Sequence, residues 1–239
     1  MAVVVLTRES RDNEPLAGKL SAAGLTVINY PCVKTGFMPV AGLLADYPPT
    51  SFEAYALTSR RAVTALAGLA AELAAAPVRL VAVGPGTATA IQESFGRPAQ
   101  LIADDGTGAG LARALREILV PGDNVLHLRG DKTTGTLKAG LEMAGIHLQE
   151  VVVYENLAPD LVPLACPEGS LVVFASPSAA RRFVGANPNL VPITQGIAIG
   201  PTTYNALSSL GWADIATARQ PDLDGLYETI MAATEDTHR

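Results

Sequence analysis

Short apolar runs alternate with helical patterns along the whole chain. The runs at 3–6, 25–30, 55–58, 80–83, 99–102, 125–128, 148–154, 171–174, 196–199 and 214–216 predict strands. Between them lie amphipathic or Ala/Leu-rich stretches, among them 15–23, 62–76, 111–119 and 137–144. Gly24, Pro77, Gly145 and Gly211 stand where helices stop. Continuous apolar strands alternating with helices predict an α/β protein with parallel sheets flanked by helices. The tail from Thr234 to Arg239 carries no such pattern and is expected to fray.

Segments of the chain return in the same order. Leu6-Thr7-Arg8 reappears as His127-Leu128-Arg129, and the stretch around Gly24 as the stretch around Gly145, both 121 residues on (8 to 129, 24 to 145). Ala56-Leu57-Thr58-Ser59 returns as Val173-Phe174-Ala175-Ser176, 117 residues on (59 to 176), and Val83-Gly84-Pro85 as Ile199-Gly200-Pro201, 116 on (84 to 200). Strand, glycine turn and Thr cap recur in any fold of this kind, but four blocks kept in order at nearly one offset argue for a duplicated unit and two similar domains.

Composition narrows the function classes. The 239 residues suit one large or two modest domains. With 17 Lys plus Arg against 23 Asp plus Glu, the chain carries a net charge of -6, which lacks the basic footprint that nucleic acid or anionic lipid requires. Its longest apolar runs fall far short of a membrane span. Residues 1–6 are apolar but lack a basic flank and meet Thr7-Arg8-Glu9, so the expected compartment is cytoplasmic. Cys32 and Cys166 are distant and each adjoins a proline, which gives neither a disulfide framework nor a CxxC pair.

Most catalytic signatures are missing. The chain has no Walker A, GxSxG, HExxH or EF-hand pattern, and His127, His147 and His238 show no metal-ligand spacing. All three histidines read as structural. Gly84-Pro85-Gly86-Thr87 opens a helix after a strand, yet Thr89 replaces the third glycine of a dinucleotide fingerprint and Pro85 removes an amide donor.

What remains is a set of strand-to-helix turns rich in Gly, Ser and Thr, at Ser59–Arg61, 84–87, 130–134, 176–178 and 200–203. These fall at the carboxyl ends of parallel strands, the edge where open α/β sheets bind ligands. Free amides at helix N-termini, together with hydroxyls, favour an anion. Arg8 and Arg129 take matching positions in the two repeats, and Arg61 adjoins Ser59. Ser59, Thr87, Ser176 and Thr203 read equally well as helix N-caps. Tyr154 ends a hydrophobic strand with a phenol, which reads either as packing or as a proton donor.

Taken together, Leu6-Thr7-Arg8, Thr58-Ser59-x-Arg61-Ala62-Val63, Val83-Gly84-x-x-Thr87-Ala88, Val151-x-Val153-Tyr154, Phe174-x-Ser176-Pro177-Ser178 and Ala198-Ile199-Gly200-Pro201-Thr202-Thr203 resemble the uroporphyrinogen-III synthase family over nearly the whole chain. The sequence departs from that family's pattern at Arg60, Ala175 and Tyr204-Asn205. The resemblance implies two similar α/β domains joined by a two-stranded linker. One domain would take residues 1–31 and 159–239, the other 35–153, with linkers at 32–34 and 154–158.

It further implies a lyase of tetrapyrrole biosynthesis acting on hydroxymethylbilane, a linear polycarboxylate. Ring A loses water, ring D attacks through its substituted carbon, and a spiro intermediate reopens and recloses with ring D inverted. In this family pattern Tyr154 assists the departure of water. Arg8, Ser59, Arg61, Thr87, Arg129, Ser176, Ser178, Thr202 and Thr203 bind carboxylates or position the chain. No metal or organic cofactor is implied, and the expected partner is this small-molecule substrate alone, with no nucleic acid, no membrane and a monomeric protein. The competing reading is a non-catalytic two-domain small-anion binding or sensor protein.

Overall fold

The computed structural model describes residues 2–236. The chain begins with β1 (Val3–Leu6), α1 (Ser10–Ala22), β2 (Thr26–Asn29), β3 (Lys34–Phe37), α2 (Leu43–Asp46) and β4 (Ala54–Leu57). It continues through α3 (Arg60–Ala65), α4 (Ala70–Ala75), β5 (Arg79–Ala82), α5 (Pro85–Phe95), β6 (Leu101–Ile102), α6 (Gly108–Arg116), β7 (Asn124–Gly130), α7 (Thr136–Glu142) and β8 (His147–Leu157). The remainder is β9 (Leu171–Phe174), α8 (Pro177–Ala186), β10 (Gln195–Ala198), α9 (Pro201–Ser209), β11 (Ile215–Thr217) and α10 (Leu223–Asp236). None of the described helices is long and apolar enough to cross a membrane.

Every apolar run predicted as a strand lies on one, with ends displaced by a few residues. The sequence pattern misses β3, whose Lys-Thr-Gly-Phe has no apolar alternation. The 62–76 stretch is not one helix: α3 gives way at 67–69 to a 3₁₀ turn around Gly68 before α4 starts, where a glycine weakens the helical interior. The tail does not fray at Thr234. It extends α10, and Thr234 is buried with its hydroxyl donating to the Met231 carbonyl at 2.7 Å. His238 lies outside the described residues.

The chain divides into two compact units, one from residues up to Lys34 with those from Leu157 onward, the other Thr35–Asn156. In the second unit the sheet runs β3-β8-β7-β4-β5-β6, and the pairs β8/β7, β7/β4, β4/β5 and β5/β6 are parallel. Alternation sorts its side chains. Tyr55, Leu57, Leu80, Ala82, Leu126 and Leu128 face α3, α4 and α5, packing on Val63, Leu73, Ile91 and Phe95. Ala54, Ala56, Val81 and Val125 face α6 and α7, meeting Leu111, Leu115, Leu137 and Leu141. Helices cover both faces, so the strands need no polar side and read as unbroken apolar runs.

The first unit holds a parallel sheet in the order β11-β10-β9-β1-β2. Val4, Leu6, Val173 and Ile197 pack on α1 and α10 through Leu16, Leu20, Leu226 and Ile230. On the other face the Phe174 ring makes edge-on contacts with Phe183 and Trp212, at centroid distances of 5.5 and 5.2 Å. Reading β9-β10-β11-β1-β2 against β4-β5-β6-β7-β8 gives the same spatial order in both units. One unit is therefore a circular permutation of the other, which is what the staggered repeat in the sequence encodes.

Candidate functional site

In the second unit the chain leaves β4 toward β5 and β6 on one side, then returns through α6 to β7 on the other side of β4. The strand order reverses between β4 and β7, and loops leaving neighbouring carboxyl ends in opposite directions open a crevice there. A cavity of about 220 Å³ lies at that point. Its walls come from the strand ends (Thr58, Val83, His127, Arg129, Gly130, Tyr154), the start of α6 (Gly106, Gly108) and the turn into α7 (Lys132, Thr133, Thr134, Thr136, Leu137).

Polar groups are assembled in this cavity by strand register. His127 shares a face of β7 with Val125, two residues before it, whose side chain packs toward α6 and α7, and His127 is only 2% exposed. Its register partner on β8 is Glu150. His127 Nδ1 lies 3.3 Å from Glu150 Oε1, and Nε2 lies 2.9 Å from Thr58 Oγ1 just past β4. Arg129, two residues farther on the same face, brings Nε within 2.9 Å of Glu150 Oε1. That contact is ionic, because the Nε–H is not aimed at a hydrogen-bond acceptor. Arg129 Nη1 donates to the carbonyls of Gly130 and Asp131 at 2.7 and 3.2 Å.

Burial pushes the His127 pKa below its ordinary value; Glu150 opposes this and Arg129 adds to it. The ring is thus neutral near pH 7 and carries one proton. Glu150 as a carboxylate only accepts, so the proton sits on Nδ1, and Nε2 accepts from the Thr58 hydroxyl.

Tyr154 enters by a different device. Arg129 pairs with Val152 but Gly130 pairs with Tyr154, so β8 carries an extra residue there. Such a bulge re-aims a side chain, and here it lays the Tyr154 ring against Gly130. The Asp131 amide donates to the Tyr154 carbonyl at 3.0 Å, and the Asn156 amide donates to Asp131 Oδ1 at 3.1 Å, which fixes the strand end. Gly108 lets the start of α6 approach α7, since a Cβ there would meet Thr136 Oγ1 at 2.8 Å. The cavity thus collects hydroxyls, a phenol, an ammonium and a guanidinium, a set suited to an anionic ligand.

Of the residues singled out from sequence, Arg129 and Tyr154 line this cavity. Ser59, Arg61 and Thr87 lie along the same sheet edge, outside its lining. Ser59 caps α3 by accepting from the Arg61 amide at 3.0 Å, and Arg61 Nε donates to Thr35 Oγ1 at 2.9 Å. Thr87 is buried as the third residue of α5, with Gly84 in the cap position.

The first unit holds the rest at the carboxyl ends of its strands. Arg8 reaches Asp12 at 3.4 Å. Ser176 caps α8, accepting from the Ala179 amide at 3.3 Å, and lies 3.1 Å from Ser178. Thr203 is buried one turn into α9, behind the capping Gly200, while Thr202 beside it is exposed. So the N-cap reading holds for the two serines and not for Thr87 or Thr203. The 130–134 turn, read from sequence as one of the anion-binding turns, lines the cavity through Gly130, Lys132, Thr133 and Thr134. Sequence reasoning overlooks Thr58 and Glu150 as partners of that cavity and reads His127 as structural. The available signal is His-x-Arg at the end of a buried strand, where apolar residues are the rule.

Comparison with known proteins bears on the whole chain. A family model described as uroporphyrinogen-III synthase HemD matches residues 14–228. The uroporphyrinogen-III synthase of Chlorobaculum parvum is 31% identical, covering 88% of this chain and 90% of its own. Among solved structures, the uroporphyrinogen-III synthetase of Helicobacter pylori has a TM-score of 0.69 at 22% identity, covering 97% of this chain and 99% of its own. A mutant uroporphyrinogen-III synthase of Thermus thermophilus has a TM-score of 0.58 at 16% identity, covering 99% and 100%. The two structures share the fold, while the family model and the Chlorobaculum relative carry the assignment. The chain belongs to the uroporphyrinogen-III synthase family.

Proposed function

We propose that this protein cyclises hydroxymethylbilane to uroporphyrinogen III, inverting ring D and releasing water. The observation that carries the reading is the Tyr154 phenol, fixed over Gly130 in a cavity that also presents Thr58, Arg129 and Lys132. Loss of the ring A hydroxyl needs a proton on the departing oxygen, and a positioned phenol supplies one. Such general acid assistance contributes typically about 10²- to 10⁴-fold. Ring D then attacks through its substituted carbon, and fragmentation and reclosure of the spiro intermediate invert it.

Closure without inversion is the uncatalysed outcome, so holding the two chain ends is the larger part of the task. Orientation of this kind is worth roughly 7 to 11 kcal/mol, which lowers the demand for a strong acid or base. Arg8, Ser59, Arg61, Thr87, Arg129, Ser176, Ser178, Thr202 and Thr203 serve carboxylate binding and chain positioning in this reading, in a cytoplasmic monomer. The turn at Lys132–Thr134 joins them.

The test is to supply freshly made hydroxymethylbilane to the purified protein, oxidise the products and separate the porphyrin isomers. Predominantly type III product supports the assignment; type I alone at the rate without protein overturns it. Tyr154→Phe separates the acid from the scaffold. It should lower kcat by at least about tenfold while type III remains the main product. An unchanged kcat removes Tyr154 from the proton transfer.

A further inference from the structure

The rim of the cavity carries several hydroxyls, yet one of them is fixed in direction. Thr58 Oγ1 has one proton and two lone pairs. Its proton is committed to His127 Nε2 at 2.9 Å, because the Nδ1 proton is held by Glu150 on the far side of the ring. Thr58 therefore shows the cavity only lone pairs. A carboxylate set against it meets oxygen with oxygen, whereas an N–H donor meets an acceptor already turned toward it. Thr133 and Thr134 are exposed on the turn and free of any such relay to His127.

We propose that the Thr58 hydroxyl accepts a pyrrole N–H of the substrate, and that His127 and Glu150 are positioning residues that act through it. This rests on the cyclase reading above. The chemistry gives the contact a use in the rate. As the ring A C–O bond breaks, its electron pair leaves with oxygen, which becomes water on receiving the phenol proton. The pyrrole nitrogen lone pair forms the new double bond, and the N–H becomes cationic. A hydrogen bond from a cationic donor is stronger than one from a neutral donor, so an acceptor at that nitrogen favours the transition state over bound substrate. Glu150 lies behind the imidazole and orders the relay, and Arg129 holds Glu150 from the side.

The experiment is a set of steady-state kinetics with isomer analysis on Thr58→Val, Thr58→Ser, His127→Leu, His127→Gln and the double variant Thr58→Val/His127→Leu. Thr58→Val should lower kcat roughly 10- to 100-fold with KM changed less than about threefold, the range set by loss of a charged hydrogen bond. Thr58→Ser, which keeps the hydroxyl, should recover most of that loss. His127→Leu should lower kcat as well, and His127→Gln should restore much of it, since an amide can accept from Thr58 and donate to Glu150.

The double variant is decisive. If His127 works through Thr58, adding His127→Leu to Thr58→Val changes kcat by less than about twofold. Wild-type kcat in Thr58→Val, or losses that multiply in the double variant, overturn the proposal while type III product keeps the cyclase reading intact. Should Thr58→Val not fold, the contrast between His127→Leu and His127→Gln decides, and equal kcat in those two overturns it. Wild-type protein that yields type I alone overturns the reading on which the proposal stands.

Discussion

The ring of Tyr154 lies so close over Gly130 that a Cβ at that glycine would stand 2.7 Å from Cε2 and Cζ and 2.9 Å from the phenol oxygen. At that distance the ring or the strand end must move to admit a methyl group. Gly130→Ala should therefore act as a mutation of Tyr154. A displacement near 1 Å can cost about 10²-fold in rate, whereas overpacking costs about 1 to 3 kcal/mol of stability. The expected result is a kcat at or below that of Tyr154→Phe in a protein that still unfolds cooperatively, measured by the isomer assay and a thermal melt. A wild-type kcat would show that the phenol's place is unimportant.

Gly140 of α7 sits against Ala112 of α6, where a Cβ would come within 2.6 Å of the Ala112 methyl. Two effects of Gly140→Ala oppose each other. Alanine favours the helix by about 0.5 to 1 kcal/mol, and crowding of the helix pair costs about 1 to 3 kcal/mol. The clash wins, so the net loss should be on the order of 1 kcal/mol in chemical denaturation. Adding Ala112→Gly should return the stability toward wild type, and failure to do so would put the strain elsewhere.

His127 makes stability depend on pH. Its folded pKa is lowered, chiefly by burial. The unfolded chain then binds the extra proton more readily than the native one, so stability is full above the ordinary histidine range near pH 6.5 and declines as pH falls below it. His127→Gln carries no such proton. Between pH 7 and pH 5 the thermal midpoint of wild type should fall more steeply than that of His127→Gln. Parallel slopes would place the acid sensitivity in other groups.

Burial also pushes the Cys32 thiol up to about 12, while Cys166 is half-buried. The thiolate is the reactive form. A neutral alkylating reagent at pH 8 should label Cys166 and spare Cys32 in the native protein, and label both in denaturant, as read by peptide mass spectrometry. Rapid native labelling of Cys32 would mean that the core of the first unit opens readily.

The fold is legible where physics leaves a local trace. β4 and β9 are buried at all four positions and read as unbroken apolar runs. β3 is hidden because Lys34-Thr35-Gly36-Phe37 lies at the edge of its sheet with both ends exposed, so burial imposes no apolar repeat on it. The site is legible only in part. Tyr154 ends a hydrophobic run and announces a hydroxyl, but its aim depends on a bulge that follows from pairing with β7. His127 reads as structural because its meaning lies in Thr58, 69 residues away, and Glu150, 23 residues away. Such partners are joined by strand order and register, and no window of sequence contains both.

The permuted architecture has a consequence for the order in which the chain acquires structure. Residues 34–157 are contiguous and contain all the strands of their sheet, so that unit can fold as soon as it has been synthesised. β1 and β2 cannot complete theirs: β1 needs β9 beside it, with Val4 opposite Leu171. Closing that separation costs chain entropy that local contacts do not repay. During synthesis the β1–α1–β2 segment must therefore wait with an apolar strand edge unpaired, a state prone to wrong pairing. The span most exposed to chaperones and to aggregation is thus one made well before its partner β9, even though β1 ends up as an interior strand between β9 and β2.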